Sequence, residues 1–271
     1  MKKTLFIFAA LLAVSCVEEG KIEPAVTKVP VTVGIAETKT MIADKQISFT
    51  GSEAMTLVCE GLNTAKISND GLELNQFKGA FDATGQNKSG ASFYAIYPFV
   101  GVGQNGNEEG WLPIAQRAPF DPTANFMCSD KVVADYDEQA MPQLSMSMNQ
   151  LMGIVRVTFT NTVAEYENDV VKDVILTSSS LLAGNFTVKF SAEGNPVPEF
   201  SSDASASKRV IASYPEGKAM GLNEVHEVYL FVNPVEIKDA EIRIVTDRHQ
   251  FTRKAAGSFT AKQGDLTYMD P

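Results

Sequence analysis

Val31-Thr32-Val33-Gly34-Ile35 sets an apolar side chain at every second position, with small or polar residues between. A period of two is the signature of a strand with one buried face, so Val31, Val33 and Ile35 are expected to share a core. Comparable short runs follow at Met55–Cys59, Ala91–Val100, Leu144–Met148, Gly153–Thr160, Val170–Thr177, Gly184–Phe190, Glu227–Val232 and Ala240–Thr246. Gln46–Phe49, Leu72–Phe77 and Gly257–Ala261 are further strand candidates of the same kind. Turn-forming residues separate them, as in Asn69-Asp70-Gly71, Thr84-Gly85-Gln86-Asn87 and Glu193-Gly194-Asn195-Pro196. No long stretch has the 3.6-residue period of an amphipathic helix. The pattern predicts an all-β protein of mostly antiparallel β-sandwiches.

Upstream of this strand the chain opens MKKTLFIFAALLAVSC. Lys2 and Lys3 precede an apolar run, Leu5 to Leu12, too short to remain as a membrane-spanning helix, so residues 1–15 read as a secretory signal. Its end at Cys16 resembles the lipobox of bacterial lipoproteins, in which the cysteine becomes lipidated and two or three acyl chains give stable anchoring. Residues 16–29 then form a polar lipidated tether. Glu18 and Glu19, directly behind the cysteine, resemble a signal that moves lipoproteins of Bacteroides-type bacteria to the outer face of the outer membrane. Loss of residues 1–15 would make the formal charge of −10 two units more negative. Such an acidic surface repels phosphate backbones, so nucleic acid is not an expected partner.

The remaining length suits two domains, expected as β-sandwiches over 30–148 and 149–271, with little regular structure between Thr123 and Met148 until its end. The halves echo one another. Lys78-Gly79-Ala80-Phe81 precedes the aromatic run Phe93–Pro98, and Ala183-Gly184-Asn185-Phe186 precedes Val228–Pro234. A proline closes each aromatic run because it cannot donate to a ladder. Cys59 and Cys128 are expected as two thiols; export would permit a bond between them, but two cysteines make no staple framework.

Catalytic and metal chemistry finds little footing. Gly101, Gly103 and Gly106 spell G-x-G-x-x-G, but Glu108, Glu109 and Pro113 follow where a phosphate cradle needs a helix N-terminus. His226-Glu227 begins like a zinc-protease motif, yet Leu230 stands where the second histidine belongs, and His249 is the only other histidine. Leu144, Met146 and Met148 read as the buried face of a strand in preference to a copper-thioether site. The serine-rich segments 178–180 and 201–205 lack a nucleophile elbow. The chain is therefore read as a non-enzyme, with no catalytic, cofactor or metal residues named.

In order, the lipobox, Glu37-Thr38-Lys39-Thr40, Phe77–Phe81, Tyr94-Ala95-Ile96-Tyr97-Pro98, Leu151–Val157, Phe231-Val232-Asn233-Pro234 and Phe259–Gly264 resemble the fimbrillin-like lipoproteins of Bacteroides-type bacteria. The resemblance spans nearly the whole chain. It implies two transthyretin-like sandwich domains and a cell-surface pilus subunit serving adhesion, with other pilin subunits, outer-membrane lipid through Cys16, and host or bacterial surface ligands as partners. It also implies assembly by strand donation, with the first strand (Val31, Val33, Ile35) exchanged and Leu266–Met269 a short candidate donor. Stalk subunits of the family are cleaved after an arginine near that strand. Here no arginine precedes Arg117, and Lys39 is the nearest basic substitute. Both departures favour a tip, anchor or accessory role. The alternative is a glycan-binding lipoprotein of a carbohydrate-uptake system, with Trp111, aided by Phe120, as the stacking platform.

Overall fold

The computed structural model describes residues 26–38, 41–42, 45–46, 49, 51–73, 75–84, 88–101, 109–137 and 142–269. Cys16, Lys39, Gly103 and Gly106 lie outside them. Among the described residues the chain is all-β, with two single-turn 3₁₀ segments, Pro122–Ala124 and Ala164–Tyr166.

The first half contributes β1 (Val26–Thr38), β2 (Met41–Ile42), β3 (Lys45–Gln46), β4 (Ala54–Cys59), β5 (Ala65–Ser68), β6 (Gln76–Thr84) and β7 (Lys88–Tyr97). Then come β8 (Glu109–Leu112), β9 (Ala115–Arg117), β10 (Met127–Ser129), β11 (Val132–Tyr136) and β12 (Gln143–Gln150). In place of the expected sandwich, the pairings β12-β1-β6-β5-β4-β7 are closed by β10, which bonds to both β7 and β12. Seven strands thus form a barrel-like ring, and β11 continues β10 along the same edge of β7, turning Tyr136 into the ring core. Closure removes most free strand edges. The stretch after Thr123, expected to be irregular, holds β10 and β11. Leu72 lies in a turn and β6 starts only at Gln76.

Period-two alternation lets two ring strands serve two cores. Met55, Leu57 and Cys59 of β4 and Phe93, Ala95 and Tyr97 of β7 point into the ring. Val58, Tyr94 and Ile96, one residue out of phase, join the core of the second half. Edge-on aromatic pairs fill the ring interior: Phe49 with Phe77 (5.2 Å between centroids) and Phe81 with Tyr136 (5.0 Å).

The same alternation separates the cysteines. Cys59 faces the ring interior and Cys128 the second core, so these buried thiols project from opposite faces of the sheet. Burial pushes the Cys59 thiol up to about 11, with Lys88 opposing and Glu60 assisting. Native protein at about pH 8 is expected to take up no iodoacetamide at Cys59 over hours, and full label once denaturant is added, as read by peptide mass spectrometry. Rapid native labelling would place this thiol in solvent.

The second half comprises β13 (Gly153–Thr160), β14 (Val170–Thr177), β15 (Gly184–Phe190), β16 (Pro196–Phe200), β17 (Arg209–Ala219) and β18 (Val225–Val232). It ends with β19 (Glu236–Ile237), β20 (Glu241–Thr246), β21 (Gln250–Lys254), β22 (Phe259–Thr260) and β23 (Leu266–Met269). Its sheets are β18-β13-β23, β21-β20-β14-β17-β9, β16-β15-β8 and the small pair β19-β22. Two of these sheets borrow an edge strand from before residue 148. β8 pairs with β15, and β9 runs parallel to β17. Gln116 of β9 fixes this arm. It is 3% exposed, its amide nitrogen donates to the Phe231 carbonyl (2.8 Å), and its amide oxygen accepts from the Phe231 N–H (3.0 Å). The side chain thus completes β18 as a short strand would.

One topological echo survives between the halves. The first strand of each lies parallel to the last, β1 beside β12 and β13 beside β23. The remaining pairings differ. β1 has the Gly-x-Phe strand β6 as its antiparallel neighbour, whereas β13 has the aromatic strand β18.

Candidate functional site: the first strand and its slot

β1 starts at Val26, five residues before the expected Val31, and occupies the middle of the ring. It pairs antiparallel with β6 from Val26↔Thr84 to Gly34↔Gln76, and parallel with β12 from Thr32↔Gln143 to Thr38↔Met148. A register shift falls between Ile35 and Glu37. Pro30 is tolerated because its missing donor faces the β12 side, where ladder pairing begins only at Thr32.

The expected row sits together on the inner face. Val31, Val33 and Ile35 are 1%, 0% and 5% exposed, and Val29 extends the row. Val33 lies between Phe77 of β6 and Leu144 of β12, Val29 opposite Phe81, and Ile35 opposite Met146. The alternating Leu144, Met146 and Met148 therefore line the slot from the β12 side, all buried. Opposite Val31 stands Gly79, where a Cβ would come within 2.5 Å of the Lys66 carbonyl oxygen. Only glycine lets β5 and β6 approach this closely beside the slot. Each buried aliphatic side chain of the row contributes roughly 1.5–3 kcal/mol. Withdrawal of β1 would leave an apolar slot about 40 Å long, flanked by the unpaired edges of β6 and β12. Such a slot binds any extended segment with apolar residues at alternate positions.

The candidate donor Leu266–Met269 forms β23, an edge strand beside β13 with Tyr268 exposed. Trp111 is also exposed, but it lies in β8, not a loop, paired with Asn185. Phe120, read as a second stacking residue, instead packs edge-on against the buried Phe231, 5.4 Å between centroids.

Both histidines are tied into the fold. His226 is buried, stacks on Phe159 (4.9 Å) and has Nε2 at 2.7 Å from the Met220 carbonyl oxygen. His249 has Nδ1 at 2.7 Å from Oδ2 of Asp169, whose side chain is fully buried. Asp169 also accepts from Thr246 Oγ1 (2.7 Å) and pairs with Arg248 (2.5 Å), pinning the turn between β20 and β21. Sequence reasoning missed this carboxylate, since nothing local marks Asp169 as the partner of residues near 247. Burial alone would raise its carboxyl. Hydrogen bonding with His249 and Thr246, with the charge of Arg248, outweighs that and holds it below its ordinary 3.8. A depressed carboxyl stabilises the fold above the unfolded value and loses that effect as pH falls through the folded one. Asp169→Asn is therefore expected to melt earlier than wild type at neutral pH, with the gap closing below about pH 4. Calorimetry across pH checks this; a gap constant with pH would assign the loss to packing alone.

No family model and no curated protein matches the chain. Solved structures do. A "putative cell adhesion protein" from Bacteroides ovatus superposes with a TM-score of 0.57 at 12% identity, covering 91% of this chain and 92% of that one. A second from Bacteroides uniformis gives 0.54 at 11% identity, covering 90% and 92%. The chain shares the fold of these two proteins. A fimbrial protein from Bacteroides ovatus superposes less closely, with a TM-score of 0.47 at 14% identity over 90% of this chain and 48% of that chain. The coverage of the first two extends over both halves of the chain.

Proposed function

We propose that this chain is a cell-surface pilus subunit, held in the outer membrane by lipid on Cys16 and serving adhesion, with β1 as its exchangeable strand. The observation that carries this reading is the place of β1. It is bonded on both sides, it supplies a continuous apolar row to the ring, and its last residue, Thr38, immediately precedes Lys39. A cut after Lys39 would release the whole strand together with the lipid. A strand from a neighbouring subunit would then complete the ring by main-chain pairing and side-chain pockets. β23, with 4 residues against the 13 of β1, is short for that task. Together with the absent arginine, this favours a tip, anchor or accessory role in which β1 stays in place. The same reading treats the sheets of the second half as a transthyretin-like sandwich. The shared fold with the two Bacteroides proteins supports adhesion.

N-terminal sequencing of the surface protein tests the role: acylated Cys16 supports an anchor, and a start at Thr40 supports a polymerising subunit. In vitro, a chain lacking residues 1–38 is expected to bind a synthetic peptide of residues 26–38 and refuse the same peptide carrying Val33→Asp. Monomeric protein with β1 intact and no pilus association would overturn the assembly reading. The exposure of Trp111 sustains glycan binding as a second reading, tested by loss of a glycan-array signal in Trp111→Ala.

A further inference from the structure

The second half contains a cavity of about 350 Å³ that the strand-exchange reading does not use. It opens where β13 ends, between the 161–166 turn and the β20–β21 hairpin. Its floor is apolar: Phe159, Met220, Ile242 and Ile244 are all buried. Tyr166 and Phe251 form an aromatic wall, their centroids 5.0 Å apart. This volume is within the range of small-molecule sites, which pair an apolar body with few, well-placed polar groups.

Two of the polar residues that line it are Asn161 and Arg253. Asn161 is 4% exposed; its Oδ1 accepts from the Val163 N–H (2.9 Å), while its Nδ2 has no acceptor among the described residues. A buried amide donor left unpaired is costly and rare. The second group is Arg253. Its cross-strand partner is Ile242, as Phe251 is the partner of Ile244, so Arg253 shares the face of β21 that borders the cavity and stands exposed at its mouth. No carboxylate pairs with it among the described residues. An apolar floor, an unpaired amide donor and an unpaired guanidinium together ask for one kind of occupant.

We propose that this cavity binds a small amphipathic carboxylate, an aryl- or branched alkyl acid. Its apolar body lies on Ile242, Ile244 and Phe251, and its carboxylate accepts from Asn161 Nδ2 and Arg253. Charge-assisted bonds from a guanidinium give such a site its preference for the anion over a neutral analogue. These residues belong to a different core from β1, so the outcome does not depend on whether β1 is exchanged.

Phenylpropionate, titrated into the full mature chain and followed by amide-resolved NMR, tests the proposal. Saturable binding is expected with a Kd below about 1 mM, together with a shift of the Asn161 side-chain amide signals. Arg253→Gln lies on an exposed edge strand, and Asn161→Asp keeps the oxygen that accepts from Val163. Each is expected to weaken binding about tenfold or more while leaving the remaining spectrum native. Phenylpropionamide is expected to bind more weakly to wild type and to be indifferent to Arg253→Gln. Absence of saturable binding would overturn the proposal and leave Arg253 as an exposed charge that protects a sheet edge. Equal affinity for acid and amide would also overturn it.

Discussion

Val33→Asp is expected to abolish folding of the N-terminal ring. Val33 is 0% exposed and wedged between Phe77 and Leu144 on an apolar inner face. The substitution discards roughly 1.5–3 kcal/mol of burial and places an unpaired carboxylate in apolar surroundings at several kcal/mol more. The sum rivals the entire stability of a typical domain, about 5–15 kcal/mol. Urea unfolding followed by far-ultraviolet circular dichroism should show the ring's transition lost. Thr32→Asp, one residue away and on the other face, should cost about 1 kcal/mol or less. Equal damage from both variants would mean that β1 does not hold the observed register.

Phe186→Ala is expected to loosen the joint between the halves. Phe186 of β15 is 1% exposed, meets Phe126 edge-on at 5.0 Å and lies 5.2 Å from Phe200. Its ring also covers Gly110 of β8, where a Cβ would come within 2.2 Å of it. Phe126 and Gly110 belong to the first half, so a single ring joins sequence segments about sixty residues or more apart. Truncation of a buried phenylalanine costs about 3–5 kcal/mol. The expected result is lower stability with the single melt splitting in two, seen by calorimetry. A uniform shift with one transition retained would show that the Gln116 clamp alone suffices to couple the halves.

The strands β13, β14 and β15 were legible to the terminal position because apolar residues at alternate positions mark most of each, although β13 opens on three buried residues and a register shift interrupts β14 after Val171. β12 was legible for the same reason. β8, β9 and β10 were not: with three or four residues each, they are stabilised by remote partners and show no period of their own. β17 was hidden by Pro215, Glu216 and Gly217, which fall in an irregular end of a strand whose opening Val210 and Ala212 are buried. The apolar row of the candidate slot could be read in advance, but the clamp residues could not. Gln116 and Asp169 are ordinary polar residues until folding brings Phe231 and His249 against them.

By itself the sequence determined the all-β class, the turn positions and the inward face of β1, since alternation and turn chemistry are local properties of the chain. Tertiary structure alone decided that β10 closes the ring, that β1 lies parallel to β12, and that an arm from the first half completes sheets of the second. The physical reason is that hydrogen-bonding edges carry no address. Any strand edge can pair with any other, and the choice of Gln143 opposite Thr32 is made only when the buried faces of both strands meet one core.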